Sequence, residues 1–177
     1  MLAVAFGFAG KVLRSSMLFR ALSMLLIFVQ PTLADPGTFV GNTMQARFSI
    51  KSGLCEVATN FCIAPLQSEI INYDLNTYFG TDGGIFDFYS DEVGKGDVWR
   101  NGVAMKMSDG TSTWKVSGNR ASYRYQSSDG YVQKLEFALK AGRCSGLWSA
   151  SLADKRYRKN PASVSFKCRV FEGRHVR

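Results

Sequence analysis

The chain of 177 residues contains one histidine, His175, two places from the C-terminus. A general base or a metal ligand needs a fixed position and an orienting partner, and a chain end supplies neither. Ser-His-Asp and Cys-His arrangements are thereby excluded. A Walker A loop, an HExxH helix and a dinucleotide-binding fingerprint are also missing. The run Gly80-Thr81-Asp82-Gly83-Gly84 is rich in glycine but lacks lysine and precedes a strand-like stretch, so it reads as a turn. The Asn-x-Ser/Thr acceptor pattern, internal repeats and low-complexity segments are absent.

The first 34 residues hold no acidic side chain. They do hold Lys11, Arg14 and Arg20, followed at once by the apolar run ALSMLLIFV at 21–29 and then by Pro31-Thr32-Leu33-Ala34. This is the order of a secretory signal, a basic region, a short apolar region and small residues before the cut. Cleavage after Ala34 leaves Asp35 first, and translation from Met17 would give a compact signal of ordinary length. A buried core helix over 17–30 would show polar positions on one face, which this run lacks. The run is also about half of the ~20 residues that a membrane-crossing helix needs, so a retained anchor is not expected. No cysteine follows the cut, which argues against a lipid anchor. The expected organisation is a signal peptide at 1–34 and a single β-rich exported domain at 35–177, periplasmic or extracellular.

All four cysteines, Cys55, Cys62, Cys144 and Cys168, lie beyond the signal. An even count in an exported chain implies disulfides. Cys55–Cys62 and Cys144–Cys168 are the favoured pairs because each closes a local stretch, the longer loop contributing about 3 kcal/mol through chain entropy. The spacings do not fit structural zinc.

Turn signals recur about every eight to twelve residues from Asp82-Gly83-Gly84 through Gly94-Lys95-Gly96, Asn101-Gly102, Asp109-Gly110 and Gly118-Asn119 to Asp129-Gly130. Between them side chains alternate. Leu135, Phe137 and Leu139 face one way and Lys134, Glu136 and Lys140 the other; Val164, Phe166, Cys168 and Val170 oppose Ser165, Lys167 and Arg169. Period-two alternation marks half-buried strands, and short turns force antiparallel pairing. Strands are predicted near 85–90, 97–101, 103–108, 111–117, 121–127, 131–140, 145–152 and 162–171. The segments 47–50 and 70–73 supply one or two more, with a short helix near 42–50 as an equal alternative. The expected fold is all-β: a small disulfide-tied antiparallel meander forming a closed or partly open barrel of about eight strands. Most of these strands are too short for an outer-membrane barrel, and the charged end Glu172-Gly173-Arg174-His175-Val176-Arg177 also argues against one.

Charge is uneven. Residues 35–100 hold 4 basic and 9 acidic side chains, whereas 101–177 hold 15 basic and 5 acidic. The densest basic feature, Lys155-Arg156-Tyr157-Arg158-Lys159, is placed in a loop between the last two strands. It is a candidate for binding anions such as phosphate, sulfated sugar or lipid headgroups, against the alternative of a solubilising loop. Asp82, Asp87 and Asp91 are candidates for a Ca²⁺ site or for carboxylate-based hydrolysis, against the alternative of ordinary solvated carboxylates. Trp99, Trp114, Trp148, Tyr123, Tyr125 and Tyr131 either fill a barrel or line a cavity within it.

The expected function is that of a non-enzymatic binding module with no cofactor. Its partner would be a small apolar or anionic ligand, or an envelope or secreted protein. Nucleic acid is disfavoured by export. An interaction module such as an inhibitor of a secreted hydrolase, using the loop CEVATNFC at 55–62, is the alternative, and a hydrolase built on carboxylates at 82–97 ranks behind both.

Overall fold

The computed structural model describes residues 36–63, 70–89, 92 and 94–175. The expected signal segment and Asp91 lie outside the described residues. Thirteen strands and no helix occur among those described. They are β1 (Asn42–Ile50), β2 (Gly53–Glu56), β3 (Cys62–Ile63), β4 (Ile71–Phe79), β5 (Gly84–Phe88), β6 (Gly96–Arg100), β7 (Ala104–Lys106), β8 (Gly110–Ser117), β9 (Arg120–Ser127), β10 (Val132–Lys140), β11 (Arg143–Ser151), β12 (Tyr157–Asn160) and β13 (Ser163–Glu172).

Ten of them form one antiparallel wall in the order β6-β5-β4-β1-β13-β11-β10-β9-β8-β7. The remaining three form a flap in the order β12-β2-β3. The wall thus contains the eight expected strands and two from upstream. The segment 42–50 is a strand, not a helix, because Met44, Ala46 and Ile50 are buried while Arg47 and Ser49 are exposed, the period of a strand. The basic run 155–159 is not a free loop: Tyr157–Asn160 pairs with β2. The path is also not one uninterrupted meander. β1 lies between β4 and β13, antiparallel to both, and so joins two sequential runs of hairpins.

Both disulfides form as expected, each across a strand pair: Cys55–Cys62 between β2 and β3, and Cys144–Cys168 between β11 and β13. The wall is nearly closed. No backbone ladder joins β6 to β7 or β8 among the described residues, and two side chains and a single backbone bond bridge the seam instead. The Asn101 amide donates to the Val116 carbonyl at 3.0 Å and accepts from the Val116 N–H at 2.9 Å, standing in for a missing strand rung. Beside it, Trp99 Nε1 donates to Ser112 Oγ at 2.9 Å, and Gly102 N–H to the Trp114 carbonyl at 2.7 Å.

Aromatic rings fill the interior. Tyr73 stacks on Phe48, and Phe48 on Phe166 at 3.7 Å between centroids. Phe166 meets Phe137 edge-on, Phe137 stacks on Trp114, and Trp114 meets Phe79, which in turn packs edge-on against Phe39. This column runs from one end of the barrel to the other. Gly146 is required beside it, because a Cβ there would collide with the ring of Phe166, its partner across the ladder. Phe39, fully buried, closes the lower end, where its N–H bonds the Gly118 carbonyl at 2.8 Å. Burial of each such large side chain is worth about 1.5–3 kcal/mol.

The seam is the weakest joint in the wall. We expect Asn101→Ala to lower stability by about 1–3 kcal/mol, since both backbone groups of Val116 lose their partners. Urea unfolding followed by tryptophan fluorescence measures this, and a variant as stable as the parent would show that the seam does not hold the barrel.

Candidate functional site

The upper end of the barrel is where β5 ends and β6 begins. Strand parity there sends Thr77, Asp87 and Asp97 to the inner side, in line with Phe79, Ile85 and Trp99 of the core. Asp87 and Asp97 are directly opposite each other on β5 and β6. Thr77 Oγ1, fully buried, donates to Asp87 Oδ1 at 2.9 Å, and the Tyr89 hydroxyl donates to Asp97 Oδ1 at 2.9 Å. Tyr123 lies on the same inner face, packed on Trp99 and Trp114, with its hydroxyl bonded to Ser112. Across the interior, Tyr73 and Tyr131 both donate to Gln133 Oε1, at 2.8 and 3.3 Å. The mouth therefore combines two carboxylates with phenol rings.

Burial pushes the Asp87 carboxyl up from its ordinary 3.8 to about 6, and the neighbouring Asp97 charge adds to this against the opposing bonds from Thr77 and Asn76. Burial likewise pushes the Tyr73 hydroxyl up to about 12. An ionised Asp87 in this place is a charge that the fold keeps at a cost.

The second site is the flap. Its two parts are far apart in sequence, an insertion between β1 and β4 and another between β11 and β13. They meet because β1, β13 and β11 are neighbours in the wall and all reach the same end. β12 pairs with β2 from Tyr157↔Glu56 to Asn160↔Gly53, and β2 pairs with β3. Ser52 Oγ donates to the Pro161 carbonyl at 2.9 Å and the Ala150 N–H to the Ala162 carbonyl at 3.1 Å, tying the flap to the rim. The sequence singled out the disulfide loop and the basic run separately; the structure makes them one sheet. It also leaves Val57, Phe61 and Ile63 exposed at 52, 66 and 60 %. Their exposure is the feature that sequence reading missed, since CEVATNFC gives no sign of which face meets water.

In the order of the wall, β13 lies diametrically opposite the seam strands β6 and β7. The basic flap and the carboxylate pair thus belong to opposite sides of the wall at its upper end.

The carboxylates proposed for Ca²⁺ are not all brought together. Asp82 lies in the lower turn between β4 and β5, where its Oδ1 accepts the Gly84 N–H at 3.0 Å, while Asp87 lies at the mouth. Among the described residues, no three His, Cys, Asp or Glu side chains gather at metal-binding distance. His175 closes a short C-terminal strap: its N–H donates to Thr43 Oγ1 at 2.9 Å, and the adjacent Arg174 lies over the Phe86 ring at 4.9 Å. A shallow groove of about 880 Å³ on the lower outer wall lies between Lys115, Arg120 and Lys140 and belongs to neither site. Comparison with protein-family models, with curated proteins and with solved structures gives no match.

Asp87 determines a pH dependence. Protonated in both states below about pH 4, it costs nothing there; between about pH 4, where the unfolded chain's carboxyl ionises, and about pH 6, where the folded one does, stability falls by roughly 1–3 kcal/mol and then levels off. We expect Asp87→Asn to abolish this fall and to be the more stable protein at pH 7. Urea midpoints at pH 4.5 and pH 7 test it; an identical decline in both proteins would remove Asp87 as the cause.

Proposed function

We propose that this chain is an exported, non-enzymatic binding module that takes a small organic ligand at the upper mouth of its barrel. The observation that carries this reading is the inward-facing pair Asp87 and Asp97 beside Tyr123 and Tyr89. Carboxylates next to phenol rings favour a ligand with a protonated amine and an apolar body, through charge-assisted bonds and cation–π attraction. The two disulfides support an oxidising destination outside the cytoplasm.

A second reading has one observation in its favour. A carboxyl titrating near 6 opposite another carboxylate is the kind of pair that acid–base hydrolysis uses. A substrate turned over by the parent and not by Asp87→Asn would establish that reading over binding.

The test is a titration with aromatic primary amines and their N-acetylated forms, read by fluorescence of the tryptophans around the mouth. We expect saturable binding of the free amines, strengthening as pH rises through about 6 and Asp87 ionises. Acetylation or Asp87→Asn should weaken it about tenfold or more, the worth of one charged hydrogen bond. Equal affinity for free and acetylated forms, or no binding to either, would refute an amine site at the mouth.

A further inference from the structure

The flap has a composition that the mouth does not explain. We propose that it is a docking surface for an anionic lipid bilayer. On one face of this sheet, Phe61, just before β3, and Ile63 of β3 lie in rungs with Glu56 and Leu54 of β2 and with Tyr157 and Lys159 of β12. One rung runs from Phe61 past Glu56 to Tyr157 and the next from Ile63 past Leu54 to Lys159, so the face carries exposed apolar side chains along one side and a tyrosine and a cation along the other. Apolar, aromatic and cationic side chains suit the acyl boundary, the interface and the headgroups of a bilayer respectively.

Charge complementarity selects the occupant. Lys155, Arg156, Arg158 and Lys159 outnumber the two acids of the flap and its flank, Glu56 and Asp154. Both acids are engaged within the flap and its flank: the Thr59 hydroxyl donates to Glu56 at 2.6 Å, and Arg156 pairs with Asp154 at 2.7 Å. Lys155 and Lys159 enter no ion pair among the described residues. They are available to anionic headgroups. The exposed apolar side chains stand on and beside the short edge strand β3, which suits insertion into a soft interface. The Cys55–Cys62 bridge holds that strand in place beforehand, so little ordering cost remains on binding.

The experiment is co-sedimentation of the oxidised protein with two kinds of vesicle, phosphatidylcholine alone and equal parts phosphatidylcholine and phosphatidylglycerol. We expect sedimentation with the mixed vesicles only, declining as salt is raised. Lys155→Gln and Lys159→Gln should each lower partitioning about fivefold, the effect of about 1 kcal/mol per cation near an anionic surface. Phe61→Ser combined with Ile63→Ser should abolish it, and because these side chains are exposed, the thermal midpoint should stay at the parent's value. Absence of sedimentation with the mixed vesicles, equal sedimentation with phosphatidylcholine alone, or variants that partition like the parent would each overturn the proposal. The amine titration uses the other site, so the two proposals succeed or fail separately.

Discussion

The pairing of β1 with both β4 and β13 is the constraint on which the rest of this structure depends. Without it the chain is two separate runs of hairpins, each with an open edge and an apolar face in water. With it those two edges are satisfied, and the wall curves far enough to enclose the ring column from Tyr73 to Phe39. The remaining edges, β6 and β7, then fall close enough for Asn101, Trp99 and Gly102 to bridge them. The same pairing aligns the two insertions at one end, which is why a disulfide loop and a basic run about a hundred residues apart become one sheet.

The two ends of the barrel are treated differently. The lower end is closed, with Phe39 packed against Phe79 and the chain tied to Gly118. At the upper end the interior becomes polar, and a carboxylate stands where burial disfavours its charge. Local rules of stability are obeyed at one end and broken at the other. A break of that kind, held by Thr77 and opposed to a second carboxylate, is where a binding role is best sought. The flap adds a second departure, apolar side chains left in water beside cations.

Much of the fold was legible in the sequence. Alternation in 111–117, 131–140 and 162–171 marks the strands because a half-buried strand has a period of two and nothing else imitates it over that length. The turns were legible because Asn-Gly and Asp-Gly are among the few pairs that accept the backbone of a tight hairpin. The candidate site was less so. Asp87 carried no signal that separated it from Asp82, since both are aspartates five residues apart next to a strand. Only the parity of β5 inside a closed wall turns one inward while the other serves its own turn.

By itself the sequence determined the class of structure: strands, hairpins, the local disulfide partners and the presence of a dense basic run. These depend on the chemistry of a few adjacent residues and on chain distance, both of which are written along the chain. The tertiary structure alone decided that 42–50 is a strand, that the wall has ten strands, that the aromatic column fills the barrel, and that the disulfide loop and the basic run share one sheet. Those facts depend on which distant strand satisfies which edge. Edge pairing is made by backbone groups common to nearly all residues, so its partners cannot be read from the side chains that the sequence spells out.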